Sequence, residues 1–197
     1  EWTLRALEAG LPVLCEKPFA ANADEARQMA EAARRTGKLV AEAFMYRFHP
    51  LYDLLLETLD AGIIGDKVAL RVTQNFRMTD RDTNIRASAE LAGGANMDIG
   101  CYCINFCRRI AGEEPARVFA FERRSAVDDT LMGSLEFPGG IVAQFQVSME
   151  TNPYSRAEIL GTRGMLILET PFFPGRNDTG FILRCGGNDE RFYVPGV

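Results

Sequence analysis

The sequence predicts a parallel α/β unit over residues 1–43, then an α+β domain over residues 44–197 with a largely antiparallel, open-faced sheet covered by helices on one side. Three observations lead there. Short apolar runs alternate with helical stretches as far as Ala43, the pattern of βαβ units. A succession of strands separated by glycine turns fills residues 116–168. Within it, Ile141, Ala143, Phe145, Val147 and Met149 share one face of a strand, whereas Gln144, Gln146 and Ser148 share the other. One face of that strand is core, and the other is polar without charge.

Residues 2–9 read as a short helix ending before Gly10, and residues 11–15 as a brief apolar strand. Asn22 has the character of an N-cap, with Glu25 three residues on completing a capping-box-like start. Ala26, Met29, Ala30 and Ala33 then repeat at helical spacing, Glu31 and Arg35 lie four apart on the outside, and Gly37 ends the helix. Residues 39–43 form another buried strand. A chain that begins inside a helix, with only these strands, cannot close an α/β domain, and no G-x-G-x-x-G occurs between a strand and a helix. The chain therefore reads as a fragment whose missing N-terminal part supplies the rest of the sheet. Residues 49–61 read as a helix with Leu51, Leu54, Leu55 and Leu59 inward, and 67–76 as a strand with Val68, Leu70 and Val72 on one face. Residues 95–111 read as a helix ended by Gly112; strands follow near 116–124, 129–137, 140–149, 156–160 and 164–168.

Composition narrows the function classes. Of 197 residues, 47% are hydrophobic and 25% charged, and 22 basic against 27 acidic side chains leave a net charge of −5. Such a chain builds a core and lacks the basic patch that nucleic acid or an anionic membrane requires. No apolar run approaches the roughly 20 residues that span a bilayer, so the expectation is a cytoplasmic protein. His49 is the only histidine and the five cysteines form no C-x-x-C pair, so the expected metal content is none. Cys101, Cys103 and Cys107 are better read as buried, reduced small hydrophobes.

Two motifs carry chemistry. Cys15-Glu-Lys-Pro-Phe19 ends the first strand, where open parallel sheets bind ligands. An ammonium at Lys17, directed by the following Pro18, can hydrogen-bond a substrate oxygen; the plainer reading is a solvated lysine. In the helix after Gly93-Gly94, Asp98, Tyr102 and Asn105 share one face, while Ile99, Cys103, Phe106 and Ile110 share another. A phenol beside a carboxylate and near an ammonium can exchange protons; the plainer reading is a charged helix start and a packing tyrosine.

Glu16-Lys-Pro18, Phe44-Met-Tyr-Arg-Phe-His-Pro50 and Gly93-Gly-Ala-Asn-Met-Asp-Ile-Gly-Cys-Tyr102, in that order, resemble the glucose–fructose oxidoreductase / inositol dehydrogenase / MocA family. Tyr102 makes the chain similar to the branch near dihydrodiol dehydrogenase and NADP-dependent xylose dehydrogenase. The departure is Ala95-Asn96, where relatives often carry glycine and a small apolar pair. The resemblance implies that residues 1–43 are the C-terminal part of a truncated dinucleotide-binding Rossmann domain, and that 44–197 form a substrate-binding and dimerisation α+β domain, itself expected to be truncated at its C-terminus. It implies hydride transfer between NADP, favoured over NAD, and a carbinol carbon of a sugar, polyol or dihydrodiol. Tyr102 would be the acid/base, Lys17 would lower its pKa and position the substrate oxygen, and Asp98 would orient Lys17 or the substrate. Glu16, Lys17, Pro18 and Arg47 would hold the cofactor; Tyr46, Arg47 and Phe48 would line the crevice with Lys17, Asp98 and Tyr102. It also implies a cis Lys17–Pro18 peptide and a homodimer or homotetramer paired through the open sheet face. The rival reading is a non-catalytic relative serving assembly or regulation, against which Lys17, Asp98 and Tyr102 all speak.

Overall fold

The computed structural model describes residues 1–175 and 177–196. Strands β1 (Val13–Cys15) and β2 (Val40–Glu42) pair in parallel, Val13 opposite Val40 and Cys15 opposite Glu42. Helices α1 (Trp2–Glu8) and α2 (Ala23–Thr36) flank them. The Asn22 side chain accepts the Glu25 N–H at 2.9 Å, and Gly37 closes α2 in the left-handed region at φ 66°. Arg35 reaches Glu8 of α1 at 3.2 Å rather than serving a pair along its own helix.

After Phe44 the chain makes a 3₁₀ turn, Met45–Phe48, and enters α3 (Pro50–Asp60). His49 caps α3, its Nδ1 accepting the Leu51 N–H at 3.1 Å, and Pro50 fills the first helical position, where a missing N–H costs nothing. The remaining strands form one eight-stranded sheet. They are β3 (Lys67–Arg77), β4 (Arg117–Arg124), β5 (Asp128–Glu136), β6 (Val142–Ser148), β7 (Glu150–Gly161), β8 (Gly164–Leu168), β9 (Thr179–Cys185) and β10 (Asn188–Val194). Their order is β10-β9-β8-β7-β3-β6-β5-β4. Only the β3–β6 pair is parallel.

One face of this sheet carries α3 and α4 (Cys101–Ala111), and the core lies between. Leu51, Leu55, Cys103, Phe106, Cys107 and Ile110 pack there with Leu70, Val72, Val147, Ala157, Ile159 and Leu166. Each buried Leu, Ile, Val or Phe among them contributes about 1.5–3 kcal/mol, and the smaller Cys and Ala side chains less. All five cysteines are free; Cys103 and Cys107 are buried, whereas Cys101, expected to be buried with them, is half-buried. Among the described residues no helix is long and apolar enough to cross a membrane.

Four details differ from the expectations. The helix expected over 95–111 opens with a π-turn, Asn96–Gly100, before becoming α-helical at Cys101. Strand β7 begins at Glu150, because β3 is long enough to pair it as far as Arg77. The hairpin β9–β10 was not anticipated. Its strand Thr179–Cys185 buries Phe181, Ile182 and Leu183 in succession, which hides the alternation, and its turn is Gly186-Gly187, both at positive φ (59° and 84°). Ser148 keeps the register of Gln144 and Gln146 but is buried on that face, its Oγ 2.7 Å from Thr130 Oγ1 and accepting the Glu150 N–H at 3.1 Å.

Candidate active site

Lys17 leaves the carboxyl end of β1, and its peptide bond to Pro18 is cis. The turn is tied to the neighbouring strand, since the Phe19 N–H donates to Glu42 Oε1 at 2.9 Å. Held this way, the Lys17 ammonium donates to the carbonyl oxygen of Asp98 at 2.7 Å and to its Oδ1 at 2.8 Å. Asp98 Oδ2 faces Arg86 Nε at 2.8 Å. The Asp98 side chain is only 12% exposed, so one carboxylate, largely cut off from water, is shared by two cations.

Asp98 owes its position to the π-turn and to what fixes that turn. Asp128, at the start of β5, accepts the Asn96 N–H at 2.6 Å and caps the turn from a distant strand; burial pushes its carboxyl above the ordinary range. Gly94, at φ 121°, leaves no room between its Cα and that carboxylate for a side chain. Arg86 comes from the segment 78–94, which is pinned at several points. Arg81 pairs with the buried Asp129, Asn84 caps the 3₁₀ turn Ile85–Ala87, and the Gly94 N–H donates to the Arg86 carbonyl at 2.9 Å.

Tyr102 lies one turn beyond, its ring edge-on to Phe44 at 5.2 Å and tilted against Phe172 and Phe173 at 5.5 and 5.6 Å. The Lys17 nitrogen sits over this ring, 5.2 Å from its centre. The hydroxyl meets Met45 Sδ at 3.8 Å. Tyr102 is 3% exposed. Burial, reinforced by Cys101, Asp98, Glu16 and Glu42, pushes the phenol up to about 12. This differs from the expected phenol held low by Lys17: the ammonium faces the ring, not the oxygen.

Glu16, Lys17, Pro18, Arg86, Met97 and Asp98 line a crevice of about 470 Å³. The other expected site residues lie elsewhere. Tyr46 is 1% exposed and belongs to the core, its hydroxyl donating to Asn105 Oδ1 at 2.6 Å. Asn105 thus serves Tyr46 rather than the face of Asp98. Arg47 opens onto a separate cavity with Glu42, Arg108 and Arg109, and Phe48 is 82% exposed. Arg86 and Asp128 were not found by sequence reasoning. An arginine in a loop and an aspartate opening a strand carry no periodic signal, and only the fold brings them to the helix start.

Comparison with known proteins agrees with this architecture. Residues 1–44 match the oxidoreductase family with an NAD-binding Rossmann fold, and residues 52–167 match the GFO/IDH/MocA C-terminal domain. The chain belongs to the GFO/IDH/MocA family. D-xylose 1-dehydrogenase (NADP(+)) 2 of Haloferax volcanii is 37% identical over 169 residues, covering 84% of this chain and 51% of that protein. Trans-1,2-dihydrobenzene-1,2-diol dehydrogenase of Mus musculus is 36% identical over 176 residues, covering 87% and 52%. A solved 3-ketoreductase from Actinomadura kijaniata, in complex with NADP and TDP-benzene, superposes with a TM-score of 0.87 at 28% identity, covering 99% of this chain and 61% of its own. This GFO/IDH/MocA chain thus spans about half the length of the curated relatives it matches.

Proposed function

We propose that this chain acts within an oxidoreductase that moves a hydride between a nicotinamide cofactor, NADP favoured, and a carbinol carbon of a sugar, polyol or trans-dihydrodiol. The observation that carries the reading is the Lys17–Asp98 pair beside Tyr102 at the carboxyl end of a parallel strand. NADP is favoured because relatives are named for it or crystallised with it. The crevice suits the nicotinamide end of such a cofactor, with Glu16, Lys17 and Pro18 on its wall to hold it. The bound nicotinamide supplies or accepts the hydride.

The chain's own residues manage the proton and the geometry. Asp98 takes two of the three N–H groups of the ammonium, leaving the third for the reacting oxygen. Tyr102, a neutral phenol at physiological pH, donates a proton to that oxygen in reduction and recovers it in oxidation. For its hydroxyl to reach a substrate, the half-exposed Met45 side chain swings aside. Residues 1–43 serve the cofactor, and 44–197 serve the substrate and assembly. Free cysteines suit a reducing cytoplasm. On the open sheet face Phe119, Phe121 and Met132 are exposed beside Gln144 and Gln146, which suits pairing with a second copy into a homodimer or a dimer of dimers.

The test is Tyr102→Phe and Lys17→Met in the full-length gene product. Turnover of both variants should fall by roughly 10²–10⁴-fold, with cofactor binding little changed in Tyr102→Phe. Wild-type turnover in both refutes the mechanism, and its absence from the wild type favours an assembly role.

A further inference from the structure

We propose that Arg86 is a positioning residue of this site, holding one oxygen of Asp98 so that the other aims the Lys17 ammonium at the reacting oxygen. The inference rests on the catalytic reading of Lys17 and Tyr102 given above. It comes from how the carboxylate is divided. Oδ1 receives Lys17 and Oδ2 faces Arg86, each at 2.8 Å, so neither cation has both oxygens. A carboxylate turns easily about its last bond, because that torsion has broad, roughly two-fold wells. Without a partner on Oδ2, Asp98 is free to turn both oxygens toward the ammonium, and the third N–H of Lys17 swings off the crevice. Arg86 also changes the local charge. Lys17 and Asp98 alone sum to zero, whereas the three together carry +1, the sign that stabilises negative charge developing on a substrate oxygen.

The backbone around Arg86 is built to hold it there. A side chain on Gly93 would press into the Arg86 carbonyl group, its Cβ 2.7 Å from the carbonyl carbon and 2.8 Å from the Ser88 oxygen, so glycine permits this close approach. Upstream, Arg81 anchors the same segment to Asp129, which is buried, and to Ser125 at 3.1 Å. A segment pinned on both sides of Arg86 delivers its guanidinium to a fixed place. Arg86 itself stays 43% exposed on the crevice wall, as a buried packing residue would not.

The experiment uses Arg86→Met, Asp98→Asn and their double variant in the full-length gene product, with kcat, substrate KM, cofactor Kd and Tm measured for each. Arg86→Met should lose kcat by roughly 10²-fold, the cost typical of a misplaced reacting group, with cofactor Kd and Tm little moved. Because Arg86 acts through Asp98, the double variant should be no slower than the worse single variant. Arg86→Lys should keep part of the lost rate, and methylguanidinium should restore part of it to Arg86→Ala. Unchanged kcat in Arg86→Met overturns the proposal, as do losses that multiply in the double variant. A loss that follows a fallen Tm, without rescue, assigns Arg86 to structure and overturns it as well. Should Lys17→Met and Tyr102→Phe both keep full turnover, the catalytic reading fails instead, whatever Arg86 does.

Discussion

Gly94→Ala should be one of the costliest single-methyl additions to this protein. Gly94 sits at φ 121°, a conformation that only glycine adopts freely, so alanine carries about 1–3 kcal/mol of backbone strain. The new methyl also falls within the carboxylate of Asp128, whose carboxyl carbon would be 2.9 Å from it. Asp128 cannot simply turn away, because it accepts the Asn96 N–H at 2.6 Å and caps the turn that leads into α4. Losing that charged hydrogen bond costs about 1.5–3 kcal/mol. Together the effects come to about 2.5–6 kcal/mol, a large share of a domain stability of about 5–15 kcal/mol. Gly112→Ala is the control. Gly112 has φ 78° but nothing within 4 Å of its added methyl, so strain alone applies, about 1–2 kcal/mol. Urea unfolding of the three proteins decides, with the difference read from midpoints at constant slope. If Gly94→Ala costs no more than Gly112→Ala, the cap from Asp128 does not hold the helix start.

Further outcomes follow from burial and surface. Tyr52→Phe removes a hydroxyl that donates to the Pro171 carbonyl at 2.7 Å inside the core; leaving that acceptor unpaired should cost about 1–3 kcal/mol, and a change under about 0.5 kcal/mol contradicts the contact. Burial raises the thiols of Cys103 and Cys107, the latter to about 12. The unfolded chain releases those protons at lower pH, so their contribution is complete below about pH 8.5 and is lost above it, at about 1.4 kcal/mol per pH unit per thiol. A urea midpoint equal at about pH 8 and about pH 10 contradicts this. Gln144→Lys with Gln146→Lys adds positive charge in register with Arg71 and Thr73 on the open face and should dissociate a dimer without unfolding it; a wild type that sediments as a monomer refutes the pairing.

Much of the fold is written in local chemistry. Asn22 and Gly37 bound α2, Gly112 ends α4, and alternation in 141–149 sets the inner face of β6, because caps and pleats depend on neighbouring residues alone. The π-turn at Asn96–Gly100 was not legible, since one extra residue in a turn leaves the apolar stripe Ile99, Cys103, Phe106 and Ile110 intact. Lys17 stood out by its place at a strand end, and Asp98 and Tyr102 by their shared helix face; the motif resemblance then favoured the chemical reading over the plainer one. Tyr46 shows the reverse failure: its place in the motif pointed to a crevice, whereas its ring fills the core among Phe44, Tyr52 and Phe172. Arg86 became visible only when the 78–94 segment folded back onto the helix start.

The state of the phenol bears on the direction of the proposed chemistry. A Tyr102 pKa near 12 keeps the proton on the oxygen throughout the physiological range. Tyr102 is therefore ready to give a proton to a carbonyl, and acts as a base only after losing its own. Each unit between its pKa and the working pH costs about 1.4 kcal/mol of phenolate formation. Cys101 and the carboxylates of Asp98, Glu16 and Glu42 add to that cost. On this reading carbonyl reduction runs on the neutral phenol, and alcohol oxidation gains rate as the pH rises toward the phenol's alkaline range.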